Sequence, residues 1–184
     1  MRAEAPDARG LALVGYRGTG KSTVGRILAE RLGRPFADAD NEIEAQAGRS
    51  IRSIFEEDGE PAFRERESRV LATLTTRLRG GVLATGGGAV LAEANRRLIR
   101  GFGFVAWLAA DPETLARRLS ASGAGVAERP PLTAAGTLGE IAGVLAARVA
   151  LYREVADAAI VTDGLSPDRV ADAVLVAWPG GRVR

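Results

Sequence analysis

The sequence predicts a three-layer α/β/α fold built on a five-stranded parallel sheet. Strand-like segments alternate with stretches of helical periodicity along the whole chain. Two of these segments run straight into glycine clusters, at Gly15–Gly20 and Gly86–Gly88, as strands do when they end at a ligand-binding rim. The chain has 184 residues and is 46% hydrophobic, enough for one domain with a substantial core. A parallel sheet of this kind must be covered by helices on both faces.

The elements follow in order. Leu11-Ala12-Leu13-Val14 reads as a buried parallel strand, and a helix follows from about Lys21 to Leu32 with Gly33 as its stop. Pro35–Asp38 is a second strand. Asn41–Ala47 and Ile51–Asp58 read as two short helices, the second capped by Ser50 and broken by Gly59. A longer helix runs from near Pro61 to about Leu78, before Gly80-Gly81. Val82–Thr85 is a third strand, Ala92–Arg100 a helix, and Phe104–Leu108 a fourth strand. Asp111-Pro112 opens another helix, with Asp as cap and Pro in the first turn. Ser120–Pro131 is rich in small residues and proline and reads as a flexible loop. Leu138–Val155 is an amphipathic helix, Ala159–Val161 a fifth strand, and Ser166-Pro167 begins a last helix that Trp178-Pro179 ends.

Composition excludes several chemistries. Cysteine is absent, so there is no disulfide framework and no thiolate nucleophile. Histidine is absent too, which removes the usual neutral-pH proton carrier and the commonest zinc ligand. Acid–base work falls to Asp, Glu, Tyr or lysine. The pI of 9.6 accompanies a net charge of only +2. It reflects a lack of groups that titrate near neutrality, not a nucleic-acid surface. Met1–Gly10 lacks an apolar signal-like core, and no run is long enough to span a membrane, so a cytoplasmic enzyme is expected.

Lys21 is the only lysine of the chain, and it sits in Gly15-Tyr16-Arg17-Gly18-Thr19-Gly20-Lys21-Ser22. That is the phosphate-binding P-loop pattern, and it lies between a strand and a helix as the motif requires. Glycines let backbone N–H groups wrap an anion, and the helix N-terminus adds partial positive charge. A compact ammonium can follow a phosphate as a point charge, which a planar guanidinium cannot do as well. Gly18, Thr19, Gly20, Lys21, Ser22 and Thr23 are therefore the candidate nucleotide-binding residues, with Lys21 on the β- and γ-phosphates and Ser22 at a Mg²⁺ position.

The acceptor side is read from other residues. Asp38 and Asp40 follow the second strand, where alternate residues share a face, so both carboxylates are expected beside the phosphates. One suits Mg²⁺ and the other an acceptor hydroxyl proton. The competing expectation is that Asp40 caps the next helix. Arg64 and Glu67 stand seven residues before Leu71 and Leu74, on the same apolar stripe. Buried charges need partners, and these two are spaced to pair, leaving guanidinium donors for an outside anion. Arg148 shares a helix side with Ile141, Val144, Leu145 and Tyr152. Gly86, Gly87 and Gly88 can present backbone N–H groups to a ligand without side-chain obstruction. Arg129, in Arg129-Pro130-Pro131, ends the flexible stretch and would stabilise a transferring phosphoryl group by closing over it, the competing expectation being a solvated loop arginine.

Together these residues resemble the shikimate kinase family of nucleoside monophosphate kinase-like P-loop proteins, from about Leu11 to Val176. The most specific stretch is Phe55-Glu56-Glu57-Asp58-Gly59-Glu60, followed by Phe63-Arg64 and Glu67. Asp38-Ala39-Asp40, Thr85–Val90, Arg129-Pro130 and Arg148 to Tyr152 follow in family order. The resemblance implies ATP-dependent phosphorylation of the shikimate 3-hydroxyl. It implies that Asp40 contacts ring hydroxyls and helps remove the proton, and that Arg64 and Arg148 hold the carboxylate. The triple-glycine loop would touch the hydroxyls, Phe55 and Phe63 would wall the pocket, Ser22 and Asp38 would serve Mg²⁺, and Arg129 would be the lid arginine. It further implies a monomer with no macromolecular partner. The implied organisation is one domain, with a core of about 10–39, 69–119 and 137–178, a substrate-binding region of about 40–68 and a lid of about 120–136. The chain departs from some members at Ser120-Ala121-Ser122-Gly123 and at Gly164 or Leu165, where an arginine would contact adenine. Related kinases of gluconate or a nucleoside monophosphate, and a non-catalytic nucleotide-binding module, are the alternatives.

Overall fold

Strand β1 (Gly10–Val14) is wholly buried and lies at the centre of a five-stranded sheet. In this computed structural model, which describes residues 9–121 and 136–179, the strand order is β2-β3-β1-β4-β5. β2 is Phe36–Asp38, β3 Val82–Ala84, β4 Gly103–Ala109 and β5 Ala158–Val161, and every pairing is parallel. Leu11 pairs with Val82 on one side and Phe104 on the other, which sets the register of the centre.

The period of two along β1 divides the core. Leu11 and Leu13 face one layer, with α1 (Lys21–Leu32) and the last helix α7 (Pro167–Ala177), through Val24, Leu28, Val170 and Val174. Ala12 and Val14 face the other. There they meet α2 (Ala39–Ala47), α3 (Ile51–Arg77), α4 (Glu93–Phe102) and α6 (Gly136–Val155), through Ile43, Leu71, Leu74, Ile99 and Tyr152. The remaining helix, α5 (Pro112–Ala121), packs on α6 through Leu115, Leu119 and Ile141. Because α1 leaves β1 on one face and α4 follows β3 on the other, a crevice opens beyond the carboxyl ends of these two neighbouring strands.

Local chemistry explains the element ends. Gly33 stops α1 in a left-handed conformation (φ 61°), where its N–H donates to the carbonyls of Ala29 and Glu30. Ser50 caps α3 by accepting from the Ser53 N–H, and Ser166 caps α7 from Arg169, with Pro167 in its first turn. The two helices expected on either side of Gly59 are joined into α3, but Gly59 keeps non-helical angles (φ 81°, ψ 169°). The break survives as a kink, with Pro61 opening the second segment.

One local expectation is corrected. α2 starts at Ala39, not Asn41, because Asp38 is its cap and accepts from the N–H groups of Asp40 and Asn41. Asp40 therefore sits in a helical first turn, not in an extended segment, and it is not the capping residue. A 3₁₀ turn at Ala89–Leu91 was also not anticipated. Arg129 and Pro131 lie outside the described residues, as does most of the segment read as a lid. Among the described residues no helix is long and apolar enough to cross a membrane.

Candidate active site

The first βα connection is wound tightly around its own carbonyls. Gly15 has φ 143°, and a side chain there would collide with the Leu108 carbonyl of β4. Gly20, at φ 92°, is the left-handed residue from which α1 starts. Both positions need glycine for physical reasons. Thr19 Oγ1 donates to the Tyr16 carbonyl at 2.8 Å and holds the loop's width. The Lys21 ammonium is buried and donates to the carbonyls of Gly15 (2.8 Å) and Tyr16 (2.9 Å). The single lysine thus lies across the loop at the N-terminus of α1, where helix N–H groups favour an anion. Gly18 and Ser22 are partly buried and Thr23 is exposed.

Ser22 Oγ donates to Asp38 Oδ2 at 2.5 Å, which joins the start of α1 to the end of β2. The other oxygen of Asp38 caps α2 at 3.0 Å and 3.3 Å. A hydroxyl and a carboxylate in contact beside a phosphate loop form a hard-oxygen pair that suits Mg²⁺, which takes few protein ligands and leaves the rest to phosphate and water. No cluster of three or more metal-binding side chains occurs among the described residues.

The triple-glycine loop after β3 is buried and lies between the phosphate loop and three charged side chains. A Cβ on Gly87 would come within 3.2 Å of the Arg17 nitrogen and 3.5 Å of the Gly15 carbonyl, so the two glycine loops touch. A Cβ on Gly86 would meet Glu67 Oε1 at 2.6 Å and Asp40 Oδ1 at 2.7 Å. A Cβ on Gly88 would meet the Arg64 guanidinium, at 2.6 Å from Nη2. The absence of side chains here is what admits Asp40, Glu67 and Arg64 to the same space.

Arg64 Nη1 donates to Glu67 Oε2 at 2.6 Å, the pairing that the three-residue spacing allows. Glu67 is 1% exposed and its Oε1 has no hydrogen-bond partner among the described residues, so this carboxylate depends on Arg64 for its charge balance. Burial works against the Arg64 charge, but Glu67 and Glu60 outweigh it and hold the guanidinium pKa above its ordinary value. The rings of Phe55 and Phe63, on the same helix, lie 4.5 Å apart and tilted by 35°, and the guanidinium lies 5.2 Å from the Phe63 ring centre.

From α6, Arg148 Nη1 donates to the Gly87 carbonyl at 3.2 Å, and the Tyr152 hydroxyl donates to the same oxygen at 2.6 Å. Tyr152 is fully buried and stacks on Trp107 of β4 at 5.7 Å. Burial pushes its phenol up to about 12, against the opposing pull of Arg148. Two arginines from separate helices therefore converge on one glycine loop, beside a phosphate loop and an aspartate.

A convergent pair of guanidinium groups next to a P-loop defines a class of sites, and comparison with known proteins defines the member. The family model for shikimate kinase matches residues 17–178. The chain belongs to the shikimate kinase family. The shikimate kinase of Symbiobacterium thermophilum is 49% identical over 156 residues, covering 83% of this chain and 86% of that one. That of Bordetella avium is 45% identical over 94% of this chain and 80% of the relative. Among solved structures, a shikimate kinase from Acinetobacter baumannii in complex with shikimate superposes with a TM-score of 0.85 at 40% identity, covering 92% of each chain. As a shikimate kinase the chain is an ATP-dependent transferase with a P-loop nucleotide-binding fold.

The contacts of three residues in this shikimate kinase were not singled out from sequence. Tyr152 bonds Gly87 across 65 positions, Glu60 bonds Arg64, and Arg118 donates to the Gly18 carbonyl (3.4 Å), the Thr162 carbonyl (2.6 Å) and Thr162 Oγ1 (2.9 Å). Arg118 ties the phosphate loop to the end of β5, and only the fold brings those segments together. Tyr152 and Glu60 did carry a signal. Tyr152 lies one helical turn beyond Arg148, and Glu60 one turn before Arg64.

Proposed function

We propose that this chain transfers the γ-phosphoryl group of ATP to the 3-hydroxyl of shikimate. The observation that carries this reading is the convergence of Arg64 and Arg148 on Gly86–Gly88, in contact with the phosphate loop. A ring that bears both a carboxylate and hydroxyls suits it: two guanidinium groups for the acid, glycine N–H groups and Asp40 for the hydroxyls.

In the reaction the acceptor oxygen forms a bond to the γ-phosphorus while the bond to the β,γ-bridging oxygen breaks, and ADP leaves. Asp40 accepts the hydroxyl proton. Lys21 leaves the carbonyls of Gly15 and Tyr16 for the β- and γ-phosphates and neutralises charge as it shifts to the leaving group. Ser22 and Asp38 would hold Mg²⁺, which supplies further neutralisation of the phosphates when bound. Phe55 and Phe63 form the apolar wall. Residues 40–68 serve as the substrate-binding region and 120–136 as the lid, with Arg129 closing over the transferred group and excluding water. The enzyme works as a cytoplasmic monomer without a nucleic-acid or protein partner.

ADP release measured with and without shikimate, with mass spectrometry of the product, tests the reading. Shikimate-dependent ADP and a monophosphorylated ester are expected. ATP binding with no turnover on shikimate would overturn it.

A further inference from the structure

Arg64 has two carboxylate partners of opposite character. Glu67 is desolvated and takes one short bond from Nη1. Glu60, one turn earlier, has a side chain 55% exposed, and its single oxygen Oε1 accepts both from Nε at 3.2 Å and from Nη2 at 3.1 Å. The first pair is costly to break, whereas a pair open to water and made of long bonds contributes little.

Glu60 is not needed to hold the arginine in place. Glu67 anchors one terminal nitrogen, Gly88 leaves the guanidinium its space, and the Phe63 ring lies against it. What Glu60 does occupy is the Nε–Nη2 edge, one of the edges through which a guanidinium takes a carboxylate with two parallel bonds. A carboxylate of the protein itself therefore stands where a carboxylate of the acceptor would bind.

We infer that Glu60 is an internal competitor of the acceptor: it covers the Nε–Nη2 edge of Arg64 when the site is empty and is displaced by the incoming acid. The inference rests on the reading of Arg64 as a holder of the acceptor carboxylate. Glu60 acts through Arg64, so it is a specificity-setting residue and not a catalytic one. It lowers affinity for acids in general, and most for those that bind through this edge alone, while acids that also reach Arg148 retain a second guanidinium.

The test is shikimate affinity in E60Q, E60D and R64A at low ionic strength, with ATP affinity and kcat measured alongside. Removing an exposed competitor should tighten shikimate binding about two- to five-fold in E60Q. ATP affinity and kcat should not change. Damage to the fold would weaken binding, so a gain is a readout that a merely structural role cannot produce. E60D keeps the charge but withdraws it from the guanidinium by one methylene, and it should behave like E60Q. Unchanged or weaker binding in E60Q overturns the proposal, as does E60D at wild-type affinity, which would make the effect one of distant charge. R64A separates the two levels. If R64A binds shikimate as the wild type does, the reading of Arg64 itself fails. If R64A weakens binding while E60Q does not tighten it, only the competitor fails.

Discussion

Ser22 and Asp38, from the start of α1 and the end of β2, share a 2.5 Å hydrogen bond, and the same Asp38 caps α2 with its other oxygen. One carboxylate thus joins the phosphate loop to α2; on the proposed reading it serves Mg²⁺ as well as the cap, and two substitutions separate the duties. Asp38→Asn keeps a capping oxygen but loses the charge. Asp38→Ala loses both. Both variants should lose most Mg-dependent activity, whereas only Asp38→Ala should lose about 1 kcal/mol of stability. Denaturant titration beside kcat at several Mg²⁺ concentrations checks this, and equal stability of the two variants would remove the cap from the account.

Lys21 bonds two carbonyls of its own loop, at 2.8 Å and 2.9 Å. The chain uses arginine at every other basic position, so Lys21→Arg asks directly whether charge suffices. On the proposed reading the ammonium moves from these carbonyls to the phosphates as a point charge, a path that a planar fork follows less well. Lys21→Arg should lose kcat by about 10²-fold or more. It should also show a smaller rise in thermal midpoint on adding ATP than the wild type. A variant with wild-type kcat would mean that the loop needs only positive charge.

Much of this arrangement is legible in the sequence because it is local. The β1 run, the P-loop, the glycine stop of α1 and the caps at Ser50 and Ser166 each follow from a few adjacent residues. Arg64 and Glu67 were legible as charges on an apolar stripe, since helical spacing alone brings them together. Asp38 was harder. Its role as cap depends on where the strand ends, and Asp-Ala-Asp is compatible with either aspartate capping. The meeting of Asp38 with the phosphate loop was legible from where the strands end, but the particular contacts of more distant segments were not. Tyr152 reaches Gly87, and Arg118 reaches Gly18 across 100 positions, only because parallel strands carry their loops to one rim. The crowding of Gly86 by Asp40 and Glu67 likewise appears only when three elements are packed.

Tyr152 supplies a pH-dependent prediction. Its phenol is raised from 10.0 to about 12 because burial disfavours the phenolate. The folded state therefore holds the proton more tightly than the unfolded state does. The stabilisation is complete below pH 10 and is lost as pH rises from 10 through 12. Two pKa units correspond to about 2–3 kcal/mol. Tyr152→Phe keeps the stack on Trp107 but has no proton to lose, so the wild type's advantage should shrink along this alkaline limb, pass through zero and reverse, leaving the variant more stable by about 1–2 kcal/mol at its end. Near neutrality the variant should be less stable by about 1 kcal/mol, the ordinary loss for one buried hydrogen bond, because Arg148 still serves the Gly87 carbonyl. Denaturant midpoints of both proteins between pH 8 and about 12 decide it. Parallel curves would show that Tyr152 ionises no differently in the folded chain.

Gly88 and Arg64 give the last prediction. Gly88 has φ −103° and ψ 0°, angles open to alanine, so Gly88→Ala carries no left-handed backbone strain. Its added methyl would instead stand 2.6 Å from Nη2 and 2.8 Å from Cζ of Arg64. The guanidinium must move, and Glu67 holds it by one nitrogen only. Gly88→Ala should therefore raise the KM for shikimate by about tenfold, a loss of about 1.4 kcal/mol in acceptor binding, with ATP affinity nearly unchanged. Since the damage acts through Arg64, the effect should largely vanish in an Arg64→Ala background. The coupling in that cycle should be about as large as the effect of Gly88→Ala itself. Additive losses would place the role of Gly88 in its own backbone N–H and not in the space it leaves for the arginine.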